Sequence, residues 1–317
     1  MKPAVLPRPE GALPSTGIAG RSQSLRAAKF KEQALAYAFL LPSLALFAVF
    51  LFYPLFKTVY LSMQLTDPRG RVVEYVGLDN FKELFASDLF YNSLGVTLSF
   101  TAWTVPTGII VALLLAALSY RPTRGVKVFR FVFSLPVAIS VGTGSVIWMM
   151  LYHPTLGTLN YFLTVLGLQP VNWLTDPAWG MISVSLMTVW MNLGFTYIVL
   201  VSGLQSIPDD ISESAKIDGA GPIRTFFSIM LPLLSPSLFF TAIVSVIGAF
   251  QSFGQIHILT KGGPVNSTDV MVFNIYREAF VNFRFGTGSA EALVLFAIVL
   301  VLTIIQFRFF ERKVHYQ

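Results

Sequence analysis

The chain has 317 residues, of which 54% are hydrophobic and only 12% are charged, and its formal net charge is +6. A soluble domain carries roughly 25% charged residues, so this composition excludes an ordinary soluble protein and indicates a membrane protein. The absence of cysteine excludes disulfides and thiolate metal sites. The histidines His153, His257 and His315 are too isolated to form a metal-ligand spacing, so we expect no metal site on this chain.

The first segment, residues 1–33, is rich in Pro, Gly, Ser and Arg and shows no apolar periodicity. This composition predicts a disordered tail, which leaves residues 34–317 as a transmembrane domain. The apolar run after the tail is not followed by a small-residue cleavage pattern, which favours a retained first span over a signal peptide.

Six segments are apolar over the length of roughly 20 helical residues that a hydrocarbon core requires. They lie near residues 36–56, 93–118, 131–152, 180–202, 233–256 and 290–310. Prolines in or beside them, such as Pro136 in the third, are expected to be tolerable kinks, because neighbouring helices can satisfy the backbone groups that a proline frees. The sequence thus predicts an all-α integral membrane protein with six transmembrane helices.

The distribution of Lys and Arg predicts the orientation of these spans. With the N-terminus inside, the inward-facing segments carry 15 of these residues and the outward-facing segments carry 7. The loop 121–130 alone holds four cations and no acid. The positive-inside rule therefore places both termini in the cytoplasm. Because the basic residues lie in loops between apolar runs, the net charge reflects membrane topology, and we expect no binding to nucleic acid.

The connection between the fourth and fifth spans, residues 204–232, is longer than an ordinary loop. Pro208, with two aspartates beside it, favours a helix start. Gly219 and Gly221 predict a helix stop and a tight turn, and a second short helix follows Pro222. The sequence predicts a cytoplasmic helix-turn-helix that either inserts into a groove of a partner protein or rests on lipid headgroups.

Seven residues of this loop form a spaced pattern: Glu213, Ser214, Ala215, Gly219, Ile229, Leu231 and Pro232. The pattern resembles the coupling-loop signature of bacterial ABC importer permeases, which runs Glu-Ala-Ala, three residues, Gly, nine residues, Ile, one residue, Leu-Pro. Every spacing agrees. The one departure is Ser214 in place of the second alanine, a change from one small residue to another.

Other segments extend the resemblance over most of the chain after the tail. The stretches IPDDISESAKIDGAGP, GGPVNST and IYREAF are similar to the carbohydrate-uptake, maltose-type branch, and the end IIQFRFFERKVHYQ is similar to the glycerol-3-phosphate permease subfamily. The resemblance implies a multi-pass subunit of the bacterial inner membrane. It also implies three partners, namely a second homologous permease, a cytoplasmic P-loop ATPase dimer and an extracytoplasmic solute-binding protein. By resemblance, Glu213, Ala215 and Gly219 carry the coupling to the ATPase.

The motifs that the chain lacks agree with this division of labour. It contains no Gly-Lys dipeptide and hence no phosphate-binding P-loop, so ATP and Mg²⁺ are expected on the partner ATPase and no cofactor on this chain. It also lacks G-x-S-x-G, H-E-x-x-H and clustered intramembrane carboxylates, which argues against a membrane enzyme. A stand-alone secondary carrier for a small polar solute is the alternative, although we find no paired interrupted helices typical of that class.

Polar and aromatic side chains inside the fourth and fifth spans are candidates for the solute pathway, because polar groups in a bilayer must face protein or water. The candidates are Trp190, Asn192, Phe195, Ser245, Gln251 and Ser252. They suit a sugar or polyol, with interhelical hydrogen bonding as the alternative. Glu291, near the start of the sixth span, either lies at the outer interface or has a functional role. The uncharged spans favour a neutral sugar or a diester, whereas the resemblance implies glycerol phosphate, so the solute stays open.

Overall fold

The structure is a computed structural model that describes residues 18–310, with side chains for 32, 33 and 35–308. It divides between Lys57 and Thr58 into two compact units. The first unit contains helix α1 (Ile18–Phe47) and a π-helical segment, Ala48–Phe52, and helix α2 (Tyr53–Ser62) follows directly. The stretch Leu35–Ser62 is long and apolar enough to cross a membrane, which confirms the first predicted span.

Helix α1 begins well before the first predicted span. Residues 18–33 are helical, so the prediction of a disordered tail over 1–33 is wrong for this part, while residues 1–17 lie outside the described residues. No proline occurs between Pro14 and Pro42, and the intervening Ala, Leu, Lys, Arg, Gln and Glu residues are strong helix formers.

The second unit supplies the other spans. Helices α4 (Asp88–Ser119), α8 (Pro177–Gln205) and α15 (Phe285–Phe310) are each long and apolar enough to cross a membrane as one piece, and α12 (Ser235–Phe250) with α13 (Gly254–Leu259) forms another apolar segment of spanning length. The described residues thus contain five spanning helices, or six if one bent helix pair counts as a span. This agrees with the predicted six-helix fold, and most ends lie within a few residues of those expected.

The bent pair is the third span. Helix α5 (Val126–Ser134) continues into a 3-10 turn at Leu135–Ala138, and helix α6 (Val141–Leu151) then leaves at an angle of 106°. The expectation of a tolerable kink at Pro136 therefore understates the change of direction. Pro136 lies within the 3-10 turn, and the chain changes direction after it, where Ile139 and Ser140 have extended backbone conformations. Ser140 then starts the new helix by accepting a hydrogen bond from the Thr143 amide at 3.2 Å.

The remaining elements of the second unit are short. In chain order they are the antiparallel strands β1 (Gln64–Thr66) and β2 (Val72–Tyr75) and the helices α3 (Asp79–Phe85), α7 (Thr158–Val165), α9 (Asp209–Ile217), α10 (Pro222–Thr225), α11 (Leu231–Leu233) and α14 (Met271–Tyr276), with π-helical segments at Phe226–Met230 and Arg277–Val281. The two-stranded hairpin is a small exception to the predicted all-α fold.

Close packing of α4 against α8 forms the centre of the second unit. The buried residues of α4 include Phe100, Thr104, Gly108, Ala112 and Ala116, which recur every four residues along one face. Small residues at this spacing let two helix backbones approach closely, which is how membrane helices gain packing energy without a hydrophobic driving force. The central contact is therefore set by side-chain size along one stripe of α4.

Candidate functional site

The loop 204–232 has the predicted helix-turn-helix form. Helix α9 ends at Ile217, and Gly219 follows with φ of +77°. The Ala220 amide donates to the Ala215 carbonyl at 2.9 Å, and the Gly219 amide donates to the Lys216 carbonyl at 3.0 Å. This pair of bonds is the Schellman arrangement, which requires a left-handed residue at the position of Gly219. The turn thus needs glycine for its backbone conformation.

The residues of the spaced pattern divide between two environments. Glu213, Ser214 and Gly219 are exposed, whereas Ala215 is buried and Ile229, Leu231 and Pro232 are half-buried. Three further apolar side chains of the loop, Ile217, Ile223 and Phe227, are exposed by 86%, 74% and 60%. The loop therefore presents acids, small residues and exposed apolar side chains on its free surface.

The base of the loop is built into the membrane-spanning core. Ile207 and Met230, one at each end of the loop, are buried in one cluster with Leu204 of α8 and Ala116 of α4. Ile211 packs against the same cluster. The loop is therefore continuous with the contact between α4 and α8, although its turn is free.

A cavity of about 230 Å³, here called the polar pocket, lies beside the interior of α8. Its lining residues are Val141, Thr188, Met191, Asn192, Gly248, Gln251, Ser252, Phe253, Gly254 and Gln255. Asn192, Gln251 and Ser252 of the predicted pathway residues are thus brought together. Sequence reasoning missed Thr188, whose hydroxyl oxygen accepts a hydrogen bond of 3.2 Å from the Gln255 amide.

The other three predicted pathway residues do not line the polar pocket. The Trp190 ring packs against Trp148, with centroids 5.8 Å apart. Phe195 lies 6.4 Å from the Phe240 ring, and Ser245 is half-buried on α12. The structure thus gives Trp190 and Phe195 helix-packing contacts.

Two interrupted helices meet at the polar pocket. Helix α6 begins there after the bend in the third span, and residues 251–253 interrupt the fifth span between α12 and α13. A Cβ atom at Gly254 would lie 2.8 Å from a Val141 methyl carbon. The absence of a side chain at Gly254 therefore lets the start of α13 lie close to the start of α6. The third span is thus broken by its bend, whereas the fifth has a break of three residues within one segment of spanning length.

The exposure of the pocket residues is informative because both helices cross the bilayer. The Asn192 and Gln251 side chains are exposed in this chain, although each lies well inside a spanning segment. An amide facing hydrocarbon would leave its donors and acceptors unsatisfied, which costs several kcal/mol. The open side of the polar pocket must therefore face water or another protein.

Glu291, near the start of the sixth span, is a buried acid. It is fully buried in α15, and both of its carboxylate oxygens accept hydrogen bonds from the Asn274 amide at 2.9 and 3.0 Å. The Asn274 oxygen accepts from Arg277, which also donates to Asp269 at 2.7 Å. Burial raises the pKa of the Asp269 carboxyl above its usual value, and the hydrogen bond and charge of Arg277 oppose this shift. These four residues, here called the buried polar chain, tie α14 and the loop before it to α15.

Comparison with known proteins gives the family. Residues 92–316 match the family of binding-protein-dependent transport system inner membrane components. The sn-glycerol-3-phosphate transport system permease protein UgpA of Yersinia enterocolitica is 38% identical over 286 residues, covering 89% of this chain and 96% of the relative. UgpA of Agrobacterium fabrum is 35% identical over 290 residues, covering 90% of this chain and 98% of the relative.

Solved structures show the same fold in a transport complex. A chain of a bacterial alginate ABC transporter, in complex with an alginate pentasaccharide-bound periplasmic protein, is 25% identical with a TM-score of 0.81, covering 90% of this chain and 96% of that chain. A second structure, of a bacterial ABC transporter involved in the import of the acidic polysaccharide alginate, is 26% identical with a TM-score of 0.80, covering 90% and 98%. The chain therefore belongs to the family of inner membrane components of binding-protein-dependent transport systems.

Proposed function

We propose that this chain is a permease subunit of an ATP-driven importer and that the polar pocket forms part of the path of a polyhydroxylated solute. The observation that carries this proposal is the pair of exposed amides, Asn192 and Gln251, at the meeting point of two interrupted helices. Non-helical backbone and polar side chains at membrane depth are tolerated where they line a water-filled cavity or contact protein. A solute path supplies such a cavity.

The solute is proposed to be a carbohydrate or a glycerol-3-phosphate-type molecule. The relatives transport sn-glycerol 3-phosphate by name, and the solved structures concern alginate import. The polar pocket offers amides, hydroxyls and the Phe253 ring, and none of its lining residues is charged. These groups suit the hydroxyl groups and apolar faces that such molecules share. A counter-charge for an anionic solute would come from another chain of the importer.

The loop 204–232 is proposed to dock into a cleft of a partner ATPase. Its turn exposes Glu213 together with Ile217 and Ile223, which gives an amphipathic surface of the kind that inserts into a groove. The chain itself lacks a P-loop, so ATP and Mg²⁺ would be bound by that partner. This docking would put the loop and both termini in the cytoplasm, as the Lys and Arg distribution also favours.

Two further partners complete the proposed importer. The open side of the polar pocket would face a second, homologous permease, so that the solute path lies between the two chains. A solute-binding protein outside the membrane would deliver the solute, as the family description indicates.

The first test is purification of the tagged chain from native membranes in a gentle detergent, with mass-spectrometric identification of the copurifying chains. We expect a P-loop ATPase and a second permease in a defined ratio. Recovery of this chain alone, in a detergent that preserves known importers, would refute the proposal. The copurified complex and its binding protein are then reconstituted into proteoliposomes, where labelled glycerol 3-phosphate and neutral sugars are compared for ATP-dependent uptake.

A further inference from the structure

The C-terminal end of α4 receives hydrogen bonds from two other helices. Arg130 of α5 donates from Nε to the Ser119 carbonyl at 2.9 Å and from Nη2 to the Tyr120 carbonyl at 2.7 Å. Gln205, the last residue of α8, donates to the same Tyr120 carbonyl at 3.2 Å. The last carbonyls of a helix have no partner within the helix. Arg130 thus satisfies two of them and places a cation at the negative end of the helix dipole.

The side chains at the end of α4 extend these contacts. The Ser119 hydroxyl and the Tyr197 hydroxyl of α8 are 2.7 Å apart. The Tyr120 hydroxyl donates to the Met230 sulfur at 3.5 Å. Tyr197 and Met230 are buried, with exposed fractions of 1% and 5%. We call this cluster the α4 hub; its members are Ser119, Tyr120, Arg130, Tyr197, Gln205 and Met230.

The α4 hub adjoins the loop 204–232 on two sides. Met230 belongs to the loop itself, just before α11. A cavity of about 230 Å³ separates Tyr120 and Arg130 from Pro208 and Asp209, at the start of α9. A displacement of the loop therefore reaches the end of α4 directly through Met230.

The third span depends on the α4 hub in a different way. Its first half, α5, is separated by the 106° bend from α6, which lines the polar pocket. Apolar contacts hold α5 to α8, including the Phe133 ring 5.6 Å from the Tyr197 ring. Arg130 adds two hydrogen bonds from a charged donor, which are shorter and stronger than neutral ones. They join α5 to the end of α4 itself.

We infer that Arg130 is a positioning residue for energy coupling. It fastens α5 to the end of α4, so that a displacement of the loop 204–232 is passed to the bend of the third span beside the polar pocket. This inference rests on the proposed importer function. The competing explanation is that apolar packing of α5 on α8 carries the movement and that Arg130 only stabilises the fold.

The test compares Arg130→Gln with Arg124→Gln in the reconstituted importer. Both changes remove one cation from the same loop region, but Arg124 is exposed and, within the described part of the chain, makes no hydrogen bond or ion pair. The measured quantity is solute taken up per ATP hydrolysed, which a loss of stability alone would not change. Allosteric coupling of ordinary strength corresponds to about fivefold or more, so we expect Arg130→Gln to lower this ratio by about fivefold. Arg124→Gln should leave it unchanged.

A conservative change at the same position sharpens the result. Arg130→Lys keeps a charged donor for one carbonyl and should recover part of the lost ratio. If Arg130→Gln fails to assemble, Arg130→Lys decides by itself: it keeps the cation but can hold only one of the two carbonyls, and we expect a ratio below that of the unchanged chain. An unchanged ratio in every variant that assembles would overturn the inference. A wild-type complex without an ATPase would instead refute the proposed function.

Discussion

The turn of the loop 204–232 allows a prediction with a matched internal control. Gly219 and Gly221 are two residues apart, and a Cβ atom at either would meet no atom within 4 Å. They differ in backbone conformation, since φ is +77° at Gly219 and −68° at Gly221. The same substitution at the two positions therefore changes strain without changing packing. We compare Gly219→Ser with Gly221→Ser.

The expected magnitude follows from the cost of the left-handed region. A residue with a Cβ atom pays about 1–2 kcal/mol there, which corresponds to about a 5–30-fold smaller ratio of native to non-native turn. Serine at Gly221 is unstrained, and that position is the N-cap of α10, where serine is favoured. At Gly219 the order of tolerance should be Gly, then Asn, then Ser, then Val. Asparagine adopts this region more readily than other residues, and β-branched side chains fit it worst.

The assay is ATP-dependent solute uptake by the reconstituted importer, together with the amount of ATPase that copurifies. Gly219→Ser should lower uptake, by at most about 5–30-fold, if docking requires the native turn, whereas Gly221→Ser should stay within about twofold of the unchanged chain. The amount of chain in the membrane should be equal for both. Equal uptake by the two serine variants, or normal uptake by Gly219→Val, would refute the link between the turn and coupling.

Three further predictions concern the membrane-spanning part. Asn192→Leu should raise the solute concentration for half-maximal uptake about tenfold through the loss of one hydrogen bond, with complex yield unchanged; an unaltered concentration dependence would remove Asn192 from the solute path. Gly194→Ala places a Cβ atom 2.7 Å from the Val137 amide nitrogen and should lower the stability of the purified complex by about 1–3 kcal/mol; a thermal-stability assay that detects no loss would contradict this packing. Asn274→Leu strands the buried Glu291 carboxylate and should cost about 3 kcal/mol. The double variant with Glu291→Leu should cost less than Asn274→Leu alone, and the same assay would contradict the pairing if the two costs simply added.

The spans and the loop could be predicted from sequence because their signals are local. A run of about 20 apolar residues has few structures open to it other than a spanning helix. The helix start at Pro208 and the stop at Gly219 rest on backbone chemistry that neighbours do not alter. The predicted helix-turn-helix is therefore present, with α9 ending at Ile217 just before Gly219.

The bend of the third span could not be predicted in the same way. Pro136 signals only that a helix is weakened, and a proline of this kind is compatible with a kinked continuous helix. The 106° bend also depends on Gly194 of α8, which lets the backbone at Val137 pass close by. This contact joins residues far apart in the chain, so no periodicity in either segment reveals it.

Only some of the pocket residues could be predicted from sequence, and the failures have geometrical reasons. Asn192 stands out as an amide in an apolar helix, but Trp190 is two positions away and points to a different side of the helix. Ser245 lies six residues before Gln251, a rise of about 9 Å along an α-helix. Gln255 carries the same kind of signal as Gln251. Its burial and its bond to another side chain depend on tertiary packing.

Side-chain hydrogen bonds join the helices of the second unit at two places, and the breaks in the third and fifth spans lie between these places. At one place the α4 hub joins α4 to α5 and α8; at the other the buried polar chain joins α14 to α15. Each uses a guanidinium, Arg130 or Arg277, and charged donors form the stronger hydrogen bonds. At residues 251–253 and at the bend of the third span, the helical hydrogen-bond ladder is already broken. A rotation at these points breaks fewer backbone bonds than one inside α4 or α8. In the proposed importer, a change of shape driven from the loop 204–232 would therefore be concentrated where the exposed amides of the polar pocket lie.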